Sequence, residues 1–529
     1  MKRIHKISFL LVIALSLLIM SCRAYPGQDL KLQSIKPPDT PNSKPVIIIL
    51  IDSLMDKPLH EAIKKGSAPA LQYLMERGKY YPHMVSSFPT MSVTIDSTML
   101  TGTYADQHHV PGLVWFSGKE NRMIFYGNGP KETMKIDQPQ VLMDAIYQLN
   151  QVQLNKQTKT IHEELAERGK QSASINGIVF RGKTEHSLQL PPLIANTTSL
   201  PQQVKVTGPP LLSYAAMAQL DPNNSRNARM WKKYGMNNLF SAHDTAFLIK
   251  QKKLPSVTIA YFPENDMAVH RKGISHLGGI EKADQALQVV LNAFGSWDQA
   301  IKSAIWIVMG DSAQSAVQDD RQTATVDLRP LLNQYRIARL NQPIGADDQI
   351  VISTNERMAY VYAIDDQVPL SDVVKHLQKE SKLDLIAIKD GNTVQVTTGK
   401  NSRMLSYRPG GNATDEYGQF WTISGDPSLA DITVTNNRIK YGKYPDVLAR
   451  LYGAMNSHEG RFAVVTVQPG YEVVTESSPT HIGGGAHGSL HELDSLVPFL
   501  VTGTDTLPKT MRIVDIKDWI VQLVNEKGK

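Results

Sequence analysis

Val46-Ile-Ile-Ile-Leu-Ile-Asp52 is an unbroken apolar run closed by a carboxylate. Such a run has no polar face to give to water, so it reads as a strand buried on both sides, the habit of parallel sheets. Asp52 then stands at the C-terminal edge, where open α/β sheets gather ligands; taken alone it reads equally well as a helix cap. The figure recurs. Val257–Phe262 runs into Pro263-Glu-Asn-Asp266, with His270 four residues beyond, just past the strand end. Ala304–Met309 runs into Gly310-Asp311-Ser312. Aspartate and histidine four apart can converge on one hard-to-borderline cation. Three apolar strands ending in carboxylates predict an α/β sheet with one charged edge.

Between the first two strands lies FPTMSVTIDSTMLTG, Phe88–Gly102, with the hydroxyls Thr90, Ser92, Thr94 and Ser97 and the carboxylate Asp96. It reads as a tight turn entering a helix that Gly102 stops. A hydroxyl at a helix start can attack phosphorus, and the free amides there suit an anion. Helix capping is the plain alternative. Ser67–Gly78 reads as a helix capped by Ser67, Ile161–Arg168 as a helix, Ser172–Phe180 as a strand, and Lys282–Phe294 as a core helix. Adjacent His108 and His109 point apart and do not share a metal. Residues 346–434 change character, with short strands around a Leu370–Glu380 helix, and read as an inserted α+β module capping the site. Arg461–Gln468 returns to the core sheet. His481-Ile-Gly-Gly-Gly-Ala-His487-Gly488 is glycine-rich without a following lysine, so it is no nucleotide P-loop.

Lys2, Arg3 and Lys6 precede an apolar run, Ile7–Met20, too short for a confident membrane span. Ile19-Met20-Ser21-Cys22 follows it and resembles a lipobox. The expectation is a signal peptide over residues 1–22, lipidation at Cys22, a flexible tether over 23–45, and a protein secreted and anchored to the outer face of a bacterial cell membrane. Cys22 is the only cysteine among 529 residues, which excludes internal disulfides and cysteine metal sites. Net charge is +6, and three of the positive charges lie in the signal, so no basic cluster points to nucleic acid.

In this order the motifs resemble the alkaline phosphatase superfamily, and most of all its nucleotide pyrophosphatase/phosphodiesterase branch. The resemblance covers about residues 45–340 and 440–525. It rests on Asp52 after the first strand, Pro89-Thr90-Met91-Ser92 leading to Thr101-Gly102, Asp266 with His270, Asp311 after a further strand, and Gly485-Ala486-His487-Gly488. It implies a sandwich with a mostly parallel central sheet and helices on both faces, formed by residues 46–345 and 435–527. It also implies a phosphoesterase acting on a small phosphoester or nucleotide-like substrate with two divalent metal ions. Ser92 rather than Thr90 falls on the nucleophile. Asp266, His270 and His487 would hold one metal, with Asp52, Asp311 and Ser92 holding the other. Zinc is the expected metal, with Mn²⁺ or Mg²⁺ as alternatives at the Asp52/Asp311 site. The departure is Ser312, with Ala313, where the family carries histidine and glycine; His276, His481 and His491 are candidates to replace that histidine. Ser312 also motivates a rival expectation, a non-catalytic surface lipoprotein that binds a metal or an anion.

Overall fold

The computed structural model describes residues 32–35, 44–127, 138–339, 342–476 and 478–525. The expected signal and Cys22 lie outside the described residues, as does most of the expected tether. Residues 32–35 of that tether are not loose. Ile35 is buried in the core, and Lys253 Nζ donates to its carbonyl at 3.0 Å.

Seven strands form the principal sheet, in the order Lys79–Val85, Leu496–Thr502, Ile305–Gly310, Val46–Ile51, Val257–Phe262, Ser172–Ile175, Leu211–Ser213. Only Leu496–Thr502 runs against its neighbours; the other pairings are parallel. Val46–Ile51 sits in the middle because both its faces are apolar. Val46, Ile48 and Leu50 enter the core under the Ser92–Thr101, Ile161–Glu167 and Ile516–Asn525 helices. Ile47, Ile49 and Ile51 enter the opposite core, under Asp56–Lys64, Pro69–Glu76, Asn238–Lys250 and Gly278–Asn292. The chain is therefore a mixed α/β fold with helices on both faces of a mostly parallel sheet.

Some local expectations move. Ser67 is not a helix cap: its hydroxyl donates to Ala62 O at 3.2 Å, and Pro69 opens the helix instead. The strand expected over Ser172–Phe180 ends at Ile175, because Asn176 turns left-handed at φ 57°.

A second, mostly antiparallel sheet carries nine strands. It is not confined to residues 346–434. Phe462–Val467, expected in the core sheet, lies within the second one, antiparallel to both Met358–Ala363 and Leu383–Asp390. Its all-apolar sequence has a different cause from that of Val46–Ile51. Phe462 and Val464 pack towards the Val447–Met455 helix, while Ala463, Val465 and Val467 pack towards Leu370–Leu377. The second sheet also shares a core with Phe88 and Phe116, and so is built against the turn that precedes Ser92.

A buried ion pair joins this sheet to the glycine-rich loop. Arg357 bonds Asp494, and neither side chain is exposed. Arg357 also donates to Val467 O at 3.0 Å, while Asp494 accepts Ser489 N–H at 2.9 Å. Removing one partner strands the other charge away from water. Arg357→Met should cost about 3–5 kcal/mol in urea unfolding, and pairing it with Asp494→Leu should recover most of that loss. An Arg357→Met chain as stable as the parent would show that the pair does not hold the sheets together.

Candidate active site

The sheet register aligns the strand ends. Ile51 is level with both Gly310 and Phe262, so Asp52 and Asp311 follow at the same height on neighbouring strands. Past Phe262 the chain enters the Glu264–Lys272 helix. Asp266 and His270 therefore stand one turn apart on one face. Asn265 Nδ2 ties this helix to the first strand's end, donating to Asp52 O at 3.0 Å and Ser53 O at 2.8 Å.

Asp266 Oδ1 is the meeting point of the first cluster. It lies 3.0 Å from His270 Nε2 and 3.4 Å from His487 Nε2. It also accepts from Ser53 Oγ at 2.9 Å and Gln314 Nε2 at 2.7 Å. The other nitrogen of each ring faces a backbone carbonyl. His270 Nδ1 donates to Gly485 O at 2.8 Å, and His487 Nδ1 donates to Thr90 O. A carbonyl can only accept, so Nδ1 carries the proton in both rings and Nε2 is the ligating atom. The three donors of Asp266, His270 and His487 lie within 4.8 Å of one another. The glycines of this loop are packed rather than loose: a Cβ at Gly484 would meet His270 O at 1.9 Å.

Sequence reading missed Glu356, Gln314 and the placement of His481. Glu356, at φ 56° in the turn between Ile350–Asn355 and Met358–Ala363, reaches in from the second sheet. Its carboxylate lies 3.6 Å from His270 Nε2 and accepts the His487 N–H at 3.0 Å. His481 stacks on the His270 ring with centroids 4.0 Å apart, and its Nδ1 is 2.6 Å from Glu472. His270, Glu356 and His481 make a second group whose ligand atoms lie within 4.8 Å. His491, by contrast, caps the Glu492–Ser495 helix, and the His276 ring folds over Gly278. His108 is buried on Thr98 Oγ1 at 3.1 Å and pushed down to about 3, chiefly by burial.

Charge binds the first cluster together. Burial alone would lower His270 and His487, but Asp266 and Glu356 outweigh it and raise them to about 9 and about 10. Burial likewise pushes Asp266 up, and the two histidines more than reverse it, holding that carboxyl well below its usual range.

At the second position, Asp311 Oδ1 accepts the N–H groups of Ser53 at 2.9 Å and Ser312 at 2.7 Å, and Asp52 Oδ2 accepts the Tyr261 hydroxyl. Asp52 Oδ1 and Asp311 Oδ2 are buried without a hydrogen-bond partner. Burial, then Asp311 and Asp266, push the Asp52 carboxyl well above the carboxylate range. Ser312 supplies no histidine; its hydroxyl lies 3.1 Å from Ser53 Oγ. Buried carboxylate oxygens without donors, beside histidines with Nε2 free to ligate, suit divalent cations.

Along Phe88–Gly102 the hydroxyls separate cleanly. Thr94, Ser97, Thr98 and Thr101 bond backbone carbonyls. Thr90 is fully buried, accepting from Gly488 N–H at 2.6 Å and donating to Ser489 O at 3.4 Å. Ser92 opens the Ser92–Thr101 helix, is partly exposed, and bonds nothing among the described residues.

At pH 7 both His270 and His487 carry protons in the metal-free protein, and a cation at their Nε2 atoms must expel both. Each unit by which the pH falls below about 9 should therefore weaken binding at this cluster about a hundredfold. Zn²⁺ titrated calorimetrically in buffers of different ionisation heat should release about two protons with the first equivalent. Release of none would exclude these rings as ligands.

A family model described as type I phosphodiesterase / nucleotide pyrophosphatase matches residues 46–490. No curated protein matches the chain. Solved structures share its fold. Murine ectonucleotide pyrophosphatase / phosphodiesterase 5 is 13% identical with TM-score 0.54, and the alignment covers 92% of this chain and 96% of that one. An inactive variant of the murine protein in complex with AMP gives 12% identity and 0.53 over the same shares. The human protein gives 13% and 0.54 over the same shares. Since the family model spans most of its length, the chain belongs to the type I phosphodiesterase / nucleotide pyrophosphatase family.

Proposed function

We propose that the protein is a metal-dependent phosphoesterase that cleaves phosphodiesters or nucleotide pyrophosphates with Ser92 as nucleophile. The observation that carries this is the fate of the hydroxyls: along the nucleophile stretch, Ser92 alone is left unpartnered, and it stands at the start of a helix. Amides at a helix start lack intrahelical partners and favour an anion there. Ser92 Oγ attacks phosphorus in line, the P–O bond to the departing alcohol breaks, and the serine proton ends on that alcohol. Water then cleaves the phosphoryl-serine, returning the hydroxyl and releasing the phosphate monoester. Asp266, His270 and His487, with Glu356 alongside, would hold one divalent cation, and Asp52 and Asp311 another. When bound, these cations supply the positive charge that eases ionisation of a hydroxyl and neutralises phosphoryl oxygens. An AMP complex of a structural relative supports a nucleotide-like substrate.

Ser92→Ala should lower turnover of a p-nitrophenyl phosphodiester at least about a thousandfold without loss of folding. Thr90→Val should instead lose about 1–3 kcal/mol of stability and still form the covalent phosphoryl-enzyme. Undiminished turnover by Ser92→Ala would rule out this mechanism. Loss of turnover in every variant and the parent alike would favour the non-catalytic reading that Ser312 raised.

We also propose that Cys22 is lipidated and holds the protein on the outer face of the membrane, a reading supported by the charged, apolar and Cys22-terminated leader. Cys22→Ser should then move the protein from the membrane fraction to the soluble extracellular fraction. Persistence in the membrane fraction would exclude lipidation as the anchor.

A further inference from the structure

Met230 and Trp231 are neighbours in the chain and are 57% and 63% exposed, Trp231 being the most exposed large apolar side chain among the described residues. Single apolar groups are ordinary on a surface, but two together ask for a covering. Four exposed cations accompany them, Arg226, Arg229, Lys232 and Lys233. No acid occurs from Pro222 to His243. The flanking acids are committed elsewhere. Asp221 accepts the Asn223 N–H at 2.9 Å, and the buried Asp244 accepts from Leu220 N–H at 2.9 Å and Asn224 Nδ2 at 2.8 Å. Arg226 lies 3.3 Å from His243 Nε2, and the Arg229 guanidinium stands over the Trp231 ring at 5.2 Å. Among the described residues none of the four cations pairs with a carboxylate.

The segment is held in this form. Lys233 and Tyr234 are both left-handed at φ 52°, a conformation that side chains with a Cβ adopt only when their surroundings impose it. Tyr234 N–H donates to Arg229 O at 3.0 Å, and Asn237 Nδ2 donates to Asn227 O and Lys232 O, both at 2.9 Å. Asn176 Nδ2, just past the Ser172–Ile175 strand, donates to Gly235 O at 2.9 Å. The segment is thus tied to the C-terminal end of that strand, next to the last strand of the sheet, Leu211–Ser213. The chain leading from Cys22 enters at the other end of the same strand, where Gln171 Nε2 donates to Ser34 O at 3.2 Å and Ile35 is buried. Four strand residues span only about 13 Å. Residues 23–31 separate Cys22 from Leu32 and reach about 30 Å when extended. One surface can therefore meet both.

We propose that Arg226–Lys233 docks on an anionic lipid membrane, with Met230 and Trp231 entering the interface and the four cations meeting lipid phosphates. The nearness of a membrane rests on the reading of Cys22 as the anchor; the chemistry of the segment does not. An indole suits the boundary between headgroups and acyl chains, since it is apolar with one polar N–H. Lysine and arginine lay their stems along apolar surface and keep their charge at the phosphates. Clustered cations beside a membrane attachment are what anionic lipids attract. An acyl chain alone holds a protein weakly, and a basic apolar patch supplies the second hold. The domain then rests with its Leu211–Ser213 flank on the surface to which Cys22 tethers it.

The test uses the full chain, purified in detergent and reconstituted into phosphatidylcholine vesicles with and without phosphatidylglycerol. Cys22 is the only cysteine, so Met230→Cys adds a second thiol for an environment-sensitive fluorophore. In vesicles with phosphatidylglycerol its emission should shift to the blue and be quenched by lipids brominated on their acyl chains; in phosphatidylcholine alone it should do neither. Followed against phosphatidylglycerol content, docking should weaken about twenty-fivefold in Lys232→Gln with Lys233→Gln, at about fivefold for each cation. Trp231→Ala should weaken it at least about tenfold. Turnover of the p-nitrophenyl phosphodiester should stay at the parent's level in both variants. A label at Lys509→Cys should not shift, since Lys509 is exposed close to the strand at the opposite edge of the sheet. No shift at position 230 with phosphatidylglycerol, equal shifts at 230 and 509, or docking indifferent to the loss of both lysines would overturn the proposal. A shift produced by an oligonucleotide and not by vesicles would assign the segment to nucleic acid and overturn it as well. Label taken up by the unsubstituted chain would overturn lipidation at Cys22 and not the docking, which is then read in the Cys22→Ser background.

Discussion

A set of carboxyl groups, held out of water at one edge of the sheet, is the constraint on which the rest of this structure depends. Asp52, Asp96, Asp311 and Glu356 are buried, Asp266 is partly so, and among the described residues none of them pairs with lysine or arginine. Burying a carboxylate alone is costly enough that proteins normally pair it or neutralise it. Here two histidines answer for Asp266 and Glu356, while among the described residues Asp52, Asp96 and Asp311 pair with no lysine or arginine and burial pushes their carboxyls up. An arrangement so unfavourable in isolation persists because the surrounding fold holds it.

Holding that arrangement explains features that would otherwise be arbitrary. Ser53 turns left-handed at φ 54°, directing its N–H to Asp311 and its hydroxyl to Asp266. Gln314 reaches both Ser53 Oγ and Asp266 Oδ1. Thr90, though not the free hydroxyl, contributes its carbonyl to His487 and its side chain to the Gly488 amide. The Phe88–Ser92 turn and the His481–Gly488 loop are therefore one hydrogen-bonded unit, in which the Thr90 side chain is committed and that of Ser92 is not.

The sequence announces the sheet more clearly than the site. Val46–Ile51, Val257–Phe262 and Ile305–Gly310 are legible because burial on both faces forces every residue to be apolar, and a carboxylate after each run stands out. The same rule misplaces Phe462–Val467, since any strand covered on both faces looks alike and its partners are set by contacts distant in sequence. Asp266 and His270 are legible through their spacing, which works as one helical turn. Glu356 is not legible, because nothing local shows that the 350–363 hairpin delivers its turn to the site.

Ser312 sharpens the last point. Read along the chain, a missing histidine is a defect, and it is the strongest reason to suspect a decayed site. In three dimensions, losing one nitrogen ligand removes a preference rather than a function if an oxygen ligand faces the gap. A decayed site would be expected to relax by pairing or expelling its charges, since no ligand remains to compensate for them. Here Asp52 Oδ1 and Asp311 Oδ2 remain buried and unpartnered at the position that Ser312 borders. Such burial is unlike a decayed site, and it is what the cation proposed at Asp52 and Asp311 would compensate.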